Sequence, residues 1–218
     1  MTEWLLVLAG VGLTAGTALF VAVEFSLVAL DRPTVQRAID SGDRRAEVVL
    51  GSLRRLSTQL SAAQVGITLT TLVLGYIATP SLGRLLQTPL GALGLQGDAL
   101  ISVSATLALL IATLFSMVLG ELLPQFLGIS APLKTAKVVA GPVRVFAVIA
   151  KPLILVLNGS ANLVLRGLGI TPQEELSGAR TPQELASLVR RSAEAGTLDG
   201  GTARLVTRSL GFGEQTAA

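Results

Sequence analysis

Three long stretches of the chain carry no formal charge, and apart from Glu3 the charged positions fall between and after them. The stretches run from Trp4 to Val23, from Leu56 to Gly83 and from Ala99 to Gly120. A helix needs about 20 mostly apolar residues to cross a hydrocarbon core of about 30 Å, so each is long enough. The pattern predicts three membrane-crossing helices. In the first, the apolar run continues past Glu24 to Leu30, and only Glu3 is charged ahead of it. A secretory signal has a basic leading region and a shorter apolar core, so this segment reads as a retained helix.

The remainder divides in two. Residues 138–170 are apolar, but Pro142, Arg144, Lys151, Pro152, Asn158 and Arg166 interrupt them. They predict amphipathic juxtamembrane helices, within a segment 136–176, lying at the cytoplasmic interface. A fourth span is the alternative. Ser177-Gly178-Ala179-Arg180 reads as a linker. Thr181-Pro182-Gln183-Glu184 then has the form of a helix start, with a Thr cap, Pro in the first turn and Glu closing a capping box. That helix is expected to end near Gly196, with a second over Thr202–Leu210. The fold class expected is an all-α membrane protein: three transmembrane helices over 1–135, juxtamembrane amphipathic helices, and a small cytoplasmic helical bundle over 177–218. The last residues show no change in composition, and a continuation beyond them is expected.

Composition supports the membrane class. Half the residues are hydrophobic and only 14% are charged, too few to cover the surface of a soluble domain of this size. Cysteine and histidine are absent. Thiolate nucleophiles, disulfides, histidine acid–base chemistry and the usual zinc ligands are therefore excluded, and an enzyme is not expected. Any bound metal has to sit among oxygen ligands, which favours hard cations.

The net charge of +3 matters less than where it falls. Arg32, Arg37, Arg44, Arg45, Arg54 and Arg55 lie between the first two stretches, and only Arg84 lies between the second and third. Lys134, Lys137, Arg144 and Lys151 come after the third. By the positive-inside rule the N-terminus is outside and the C-terminal part cytoplasmic, in a multi-pass protein of the cell (plasma) membrane.

Two carboxylates occur where they are unfavourable. Glu24 is late in the first stretch, and Glu121 directly follows the third in Gly120-Glu121-Leu122-Leu123-Pro124. A charge at mid-membrane costs about 2.5–3.5 kcal/mol on insertion scales, so such residues line a path or pair with something. Interfacial carboxylates reaching headgroups or arginines such as Arg32 are the plainer alternative. Hydroxyls accompany them: Ser26 two residues after Glu24, and Thr68, Thr70 and Thr71 in the second stretch. In membrane helices such hydroxyls commonly bond back to a carbonyl one turn earlier. Pro124 has no N–H to give the carbonyl of Gly120, which becomes a possible ligand beside Glu121. Carboxylate, hydroxyls and a free carbonyl together make an all-oxygen site for a hard cation. Gly10, Gly12, Gly16, Gly66 and Gly75 read as ordinary close helix packing.

These residues resemble the CNNM/CorC family. Val23-Glu24-Phe25-Ser26-Leu27 is similar to its Glu-x-Ser/Ala-Leu signature, and Ala63-Gln64-Val65-Gly66-Ile67-Thr68-Leu69 to its Gln-Val-Gly-x-Thr-Leu segment. Gly120-Glu121-Leu122-Leu123-Pro124-Gln125 is similar to its Gly-Glu-x-x-Pro-Lys motif, and Pro132 fits the proline that comes after it. The resemblance covers roughly residues 1–135, and the C-terminal segment looks like the family's helical bundle leading to a pair of CBS domains, absent here. It implies a homodimer that binds magnesium within the membrane and exports it, with sodium as the coupling ion. The metal-binding residues it implies are Ser26, Thr68, Thr71, Gly120 and Glu121, with Glu24 behind them.

The chain departs from the family at Thr79-Pro80, where a Glu is common, and at Gln125, where a Lys is common. Those departures support a second reading, a non-transporting membrane scaffold that binds another membrane protein. An intramembrane hydrolase lacks any Ser–His or Asp–Asp pair. The partners expected are membrane lipid, a second copy of the chain and another membrane protein, with no nucleic acid.

Overall fold

The computed structural model describes residues 2–168, 185–186, 189–190, 192–193 and 196–211. The chain divides into two compact units, Met1–Glu174 and Glu175–Ala218. Among the described residues the regular structure is helical, with no strand.

The first span is helix α1 (Thr2–Ala29). Two short helices come next, α2 (Arg32–Asp40) and α3 (Arg44–Leu53), joined by a turn at Gly42 with φ +91°. A left-handed backbone of that kind suits glycine. Asp43 caps α3 by accepting from the Arg45 N–H at 3.1 Å. The second span begins with α4 (Leu56–Val73), passes through a π-helical segment Leu74–Ala78 and continues as α5 (Thr79–Ala92). The third runs through α6 (Gly97–Phe115), a π-helical segment Ser116–Leu122 and α7 (Leu123–Ser130).

All three predicted spans are present, as helices of 28, 37 and 34 residues. The second and third are longer than their charge-free runs, ending at Ala92 and Ser130 rather than at Gly83 and Gly120. Side-chain charge limits how much of a helix sits in hydrocarbon. It does not stop backbone hydrogen bonding, so the helices continue past Arg84 and Glu121.

Two ion pairs mark the two ends of this bundle. Arg84 Nε donates to Glu3 Oε1 at 2.9 Å, joining the start of α1 to α5. Lys137 Nζ donates to Asp43 Oδ2 at 2.7 Å, joining the segment after the third span to the α2–α3 turn. Three crossings require this pairing of ends.

After the third span come α8 (Pro132–Ile149) and α9 (Lys151–Gly167), which meet at Ala150 with a bend of 78°. Ala136, Ala140, Val143 and Ala147 recur at helical spacing as the buried face of α8. The main core joins them to Phe20, Val23 and Leu27 of α1, Val35 of α2, Ala46, Val49 and Leu53 of α3, and Ala63 of α4. The Phe20 and Phe146 rings pack within it with centroids 4.8 Å apart. Within the spans, 39% of the most apolar window of α1 is buried, against 22% and 17% in the other two, so α1 is the central helix.

In the second unit, the helix expected over Thr202–Leu210 is present as α10 (Gly200–Gly211). Asp199 caps it, accepting from Gly201 N–H at 2.9 Å and Thr202 N–H at 3.0 Å. Those bonds hold its carboxyl below the ordinary carboxylate range. Gly196, the expected end of the preceding helix, has φ +71°. The capping box at Thr181 lies outside the described residues.

Candidate functional site

The helical break expected at Pro124 is instead a widening. Ser116–Leu122 is π-helical, and the Leu123 N–H bonds to the Val118 carbonyl five residues back. The second span widens in the same way at Leu74–Ala78, just before Pro80. A π-helical turn accommodates one extra residue and rotates the helix beyond it, and such turns recur at functional sites.

Between the two widened segments lies a cleft of about 360 Å³, lined on its polar side by Thr71, Thr79, Thr113, Ser116 and Glu121. Gly120, next to Glu121, does not line the cleft but is buried against α1. A Cβ there would stand 3.3 Å from Thr14 Cγ2 and 3.4 Å from Ser116 Oγ, so glycine lets this turn come close to α1. Thr14 is also a ruler for depth. It is near the middle of the 28-residue α1, so Glu121 sits near mid-span. The Glu121 side chain is exposed in the single chain, and among the described residues no lysine or arginine pairs with it.

The Thr71 hydroxyl donates to the Ile67 carbonyl at 2.8 Å and lies 3.1 Å from that of Thr68. Its proton is committed to the backbone, which leaves the oxygen lone pairs for a cation. Of the five metal residues expected from the sequence, Thr71 and Glu121 share the cleft, while the neighbouring Gly120 is turned toward α1.

Ser26 and Thr68 do not join them. Ser26 is twelve residues beyond Thr14, about 18 Å along α1 at 1.5 Å per residue. It is fully buried, with its hydroxyl donating to the Val23 carbonyl at 3.2 Å, where α7 crosses α1. A Cβ on Gly128 would come within 3.0 Å of the Ser26 nitrogen. Thr68 donates to the Gln64 carbonyl at 2.9 Å and lines a different cavity of about 300 Å³, with Ser61, Gln64 and Asn158. Glu24 is half-buried beside that level, with the Gln64 side chain as its hydrogen-bond partner.

Thr79, Thr113 and Ser116 belong to the cleft but were not expected to act in it. A signal for them was available: Leu109, Thr113, Met117 and Glu121 recur every four residues and all line it. Thr17 and Thr70, a turn from the cleft, share a hydrogen bond of 2.7 Å between α1 and α4.

The chain matches the description of the cyclin M transmembrane N-terminal domain, CNNM, over residues 8–201. That match takes in all three spans and the helices after them. The chain belongs to the CNNM family. It is 49% identical over 212 residues to UPF0053 protein MT1890 of Mycobacterium tuberculosis (strain CDC 1551 / Oshkosh), covering 97% of this chain and 46% of that protein. It is 34% identical over 212 residues to UPF0053 protein YhdT of Bacillus subtilis (strain 168), again covering 97% of this chain and 46% of the relative. With the uncharacterized protein MT1889 of the same mycobacterial strain the identity is 32% over 198 residues, covering 91% of this chain and 56% of that one. The CNNM chain thus spans about half the length of these relatives.

Proposed function

We propose that this chain is the membrane domain of a dimeric magnesium transporter, an exporter with sodium as the coupling ion, and that its cation site is the cleft at Glu121. The observation that carries the reading is a mid-span carboxylate, without a cationic partner among the described residues, facing the hydroxyls of Thr71, Thr113 and Ser116. A carboxylate left in hydrocarbon is unfavourable by several kcal/mol, whereas a divalent cation among oxygens reverses the sign of that term. Magnesium suits such a set because it takes hard oxygen ligands and keeps several waters, for which the cleft has room.

Thr71 supplies an oriented hydroxyl oxygen and Glu121 the charge, while Gly120 lets the widened turn pack close to α1. Ser26 and Thr68 act at other depths, or join the site only when helices shift in the alternating-access cycle. Exposure of Glu121 on one chain favours a second copy closing the cleft from the other side. The Arg-rich end is cytoplasmic and the Glu3–Arg84 end faces outward, in the plasma membrane.

The test is a magnesium titration of the purified chain in detergent, by calorimetry or thermal shift at fixed sodium, with Glu121→Ala alongside. A saturable magnesium response in the wild type that is lost in the variant is expected. No response in either protein overturns the reading and leaves the scaffold, for which Thr79 and Gln125 speak, in its place.

A further inference from the structure

The geometry points to a hydrophilic access lane for the cation, running along α4 beside α9 from the Arg54–Arg55 end of the bundle to the Glu121 cleft. It rests on the magnesium reading and adds the route by which the ion reaches its site.

Ser61, Gln64, Thr68 and Thr71 are spaced by three, four and three residues, so they form one polar stripe along α4. The two cavities lie at successive levels along this stripe. Ser61, Gln64 and Thr68 line the cavity shared with Leu153, Ile154, Leu157 and Asn158 of α9. Thr71, one turn on, lines the cleft that holds Glu121. From Ser61 to Thr71 the stripe rises about 15 Å, half the thickness of a hydrocarbon core.

Each position offers oxygen. Thr68 and Thr71 spend their protons on backbone carbonyls, and Ser61 donates to Asn158 Oδ1 at 3.1 Å, tying α9 to α4 at the mouth of the lane. Gln64 bonds to Glu24, which sets a carboxylate beside the lane. Back-bonded hydroxyls tolerate lipid, but primary amides such as those of Gln64 and Asn158 are poorly suited to it, so the amides argue for water. On α6, Leu110 and Leu114 are 53% and 59% exposed, line neither cavity and are suited to lipid.

The chain has no cysteine, so single-cysteine variants report without background. Ser61→Cys, Gln64→Cys, Thr68→Cys and Thr71→Cys would be compared with Leu110→Cys and Leu114→Cys in proteoliposomes. The probe is a membrane-impermeant cationic methanethiosulfonate, applied from each face with and without magnesium chloride. Only the thiolate reacts, and it forms where water reaches. The stripe variants are therefore expected to label at least about tenfold faster than the two leucine positions. Magnesium is expected to slow labelling at position 71. Stripe positions no faster than the leucine positions overturn the lane. Fast labelling that magnesium leaves unchanged keeps the lane and removes the magnesium reading. Magnesium protection at position 71, with 61, 64 and 68 unreactive, does the reverse.

Discussion

Asp43 holds α3 and α8 together: its carboxylate accepts from the Arg45 N–H at 3.1 Å and from Lys137 Nζ at 2.7 Å. One side chain thus caps a helix and pins the segment after the third span to the loop after the first.

This junction makes stability depend on pH. The Lys137 hydrogen bond first, then its charge and the backbone N–H groups, hold the Asp43 carboxyl below its ordinary value. A lowered folded-state pKa adds stability above the unfolded-state value of about 3.9, and that stability is lost as pH falls through the lower folded-state value. Asp43→Asn is expected to lower Tm near neutral pH, with the difference from wild type shrinking toward acid. Thermal unfolding in detergent across that range checks it, and a difference independent of pH sinks it.

Gln59 is 4% exposed, and among the described residues its buried Oε1 has no hydrogen-bond partner. A buried unpartnered carbonyl costs about 1–3 kcal/mol. Gln59→Leu, flanked by Leu56 and Ala63, is expected to raise stability by roughly 1 kcal/mol. A fall in Tm would show that the amide has a role the fold alone does not reveal.

Glycine is required where α7 crosses α1, at Gly128. A Cβ there would meet Phe25 Cβ at 2.9 Å and the Ser26 nitrogen at 3.0 Å. Backbone atoms cannot swing aside, so Gly128→Ala must push α7 off α1. Overpacking of this kind costs about 1–3 kcal/mol. Gly141, where an added Cβ meets nothing within 4 Å, is the control, and Gly141→Ala is expected to leave Tm unchanged or slightly raised. Equal effects at the two positions would contradict the close crossing.

The Thr17–Thr70 bond is short, yet its energetic weight is expected to be small. Both hydroxyls also reach their own helices: Thr17 to Leu13 at 3.1 Å, Thr70 to Gly66 at 2.9 Å. Interhelical hydrogen bonds in membranes average about 0.6 kcal/mol in double-mutant cycles. A cycle of Thr17→Val and Thr70→Val is expected to give a coupling of that order. A coupling above about 2 kcal/mol would mean that the back-bonds do not compensate.

Span number and the matching of chain ends were legible because they depend on local facts. A charge-free run of about 20 residues specifies a crossing, and arginines clustered after the first run mark one face, whatever the helices later touch. The helix expected over Thr202–Leu210, present as Gly200–Gly211, is equally local. The site was legible only in part. Glu121, Gly120 and Thr71 could be read as chemistry, but their meeting depends on the rotation of α4 and α6 about their own axes. Two π-helical segments help set that rotation, each a choice between carbonyls four and five residues back that no composition reveals. Ser26 looked like a ligand because hydroxyl and carboxylate are neighbours in sequence there. Packing sets that hydroxyl at another level: the close crossing at Gly128 buries it, about 18 Å along α1 from Thr14. The stripe from Ser61 to Thr71 was present in the helical spacing, but only the fold of α9 across α4 turns it into the wall of a cavity.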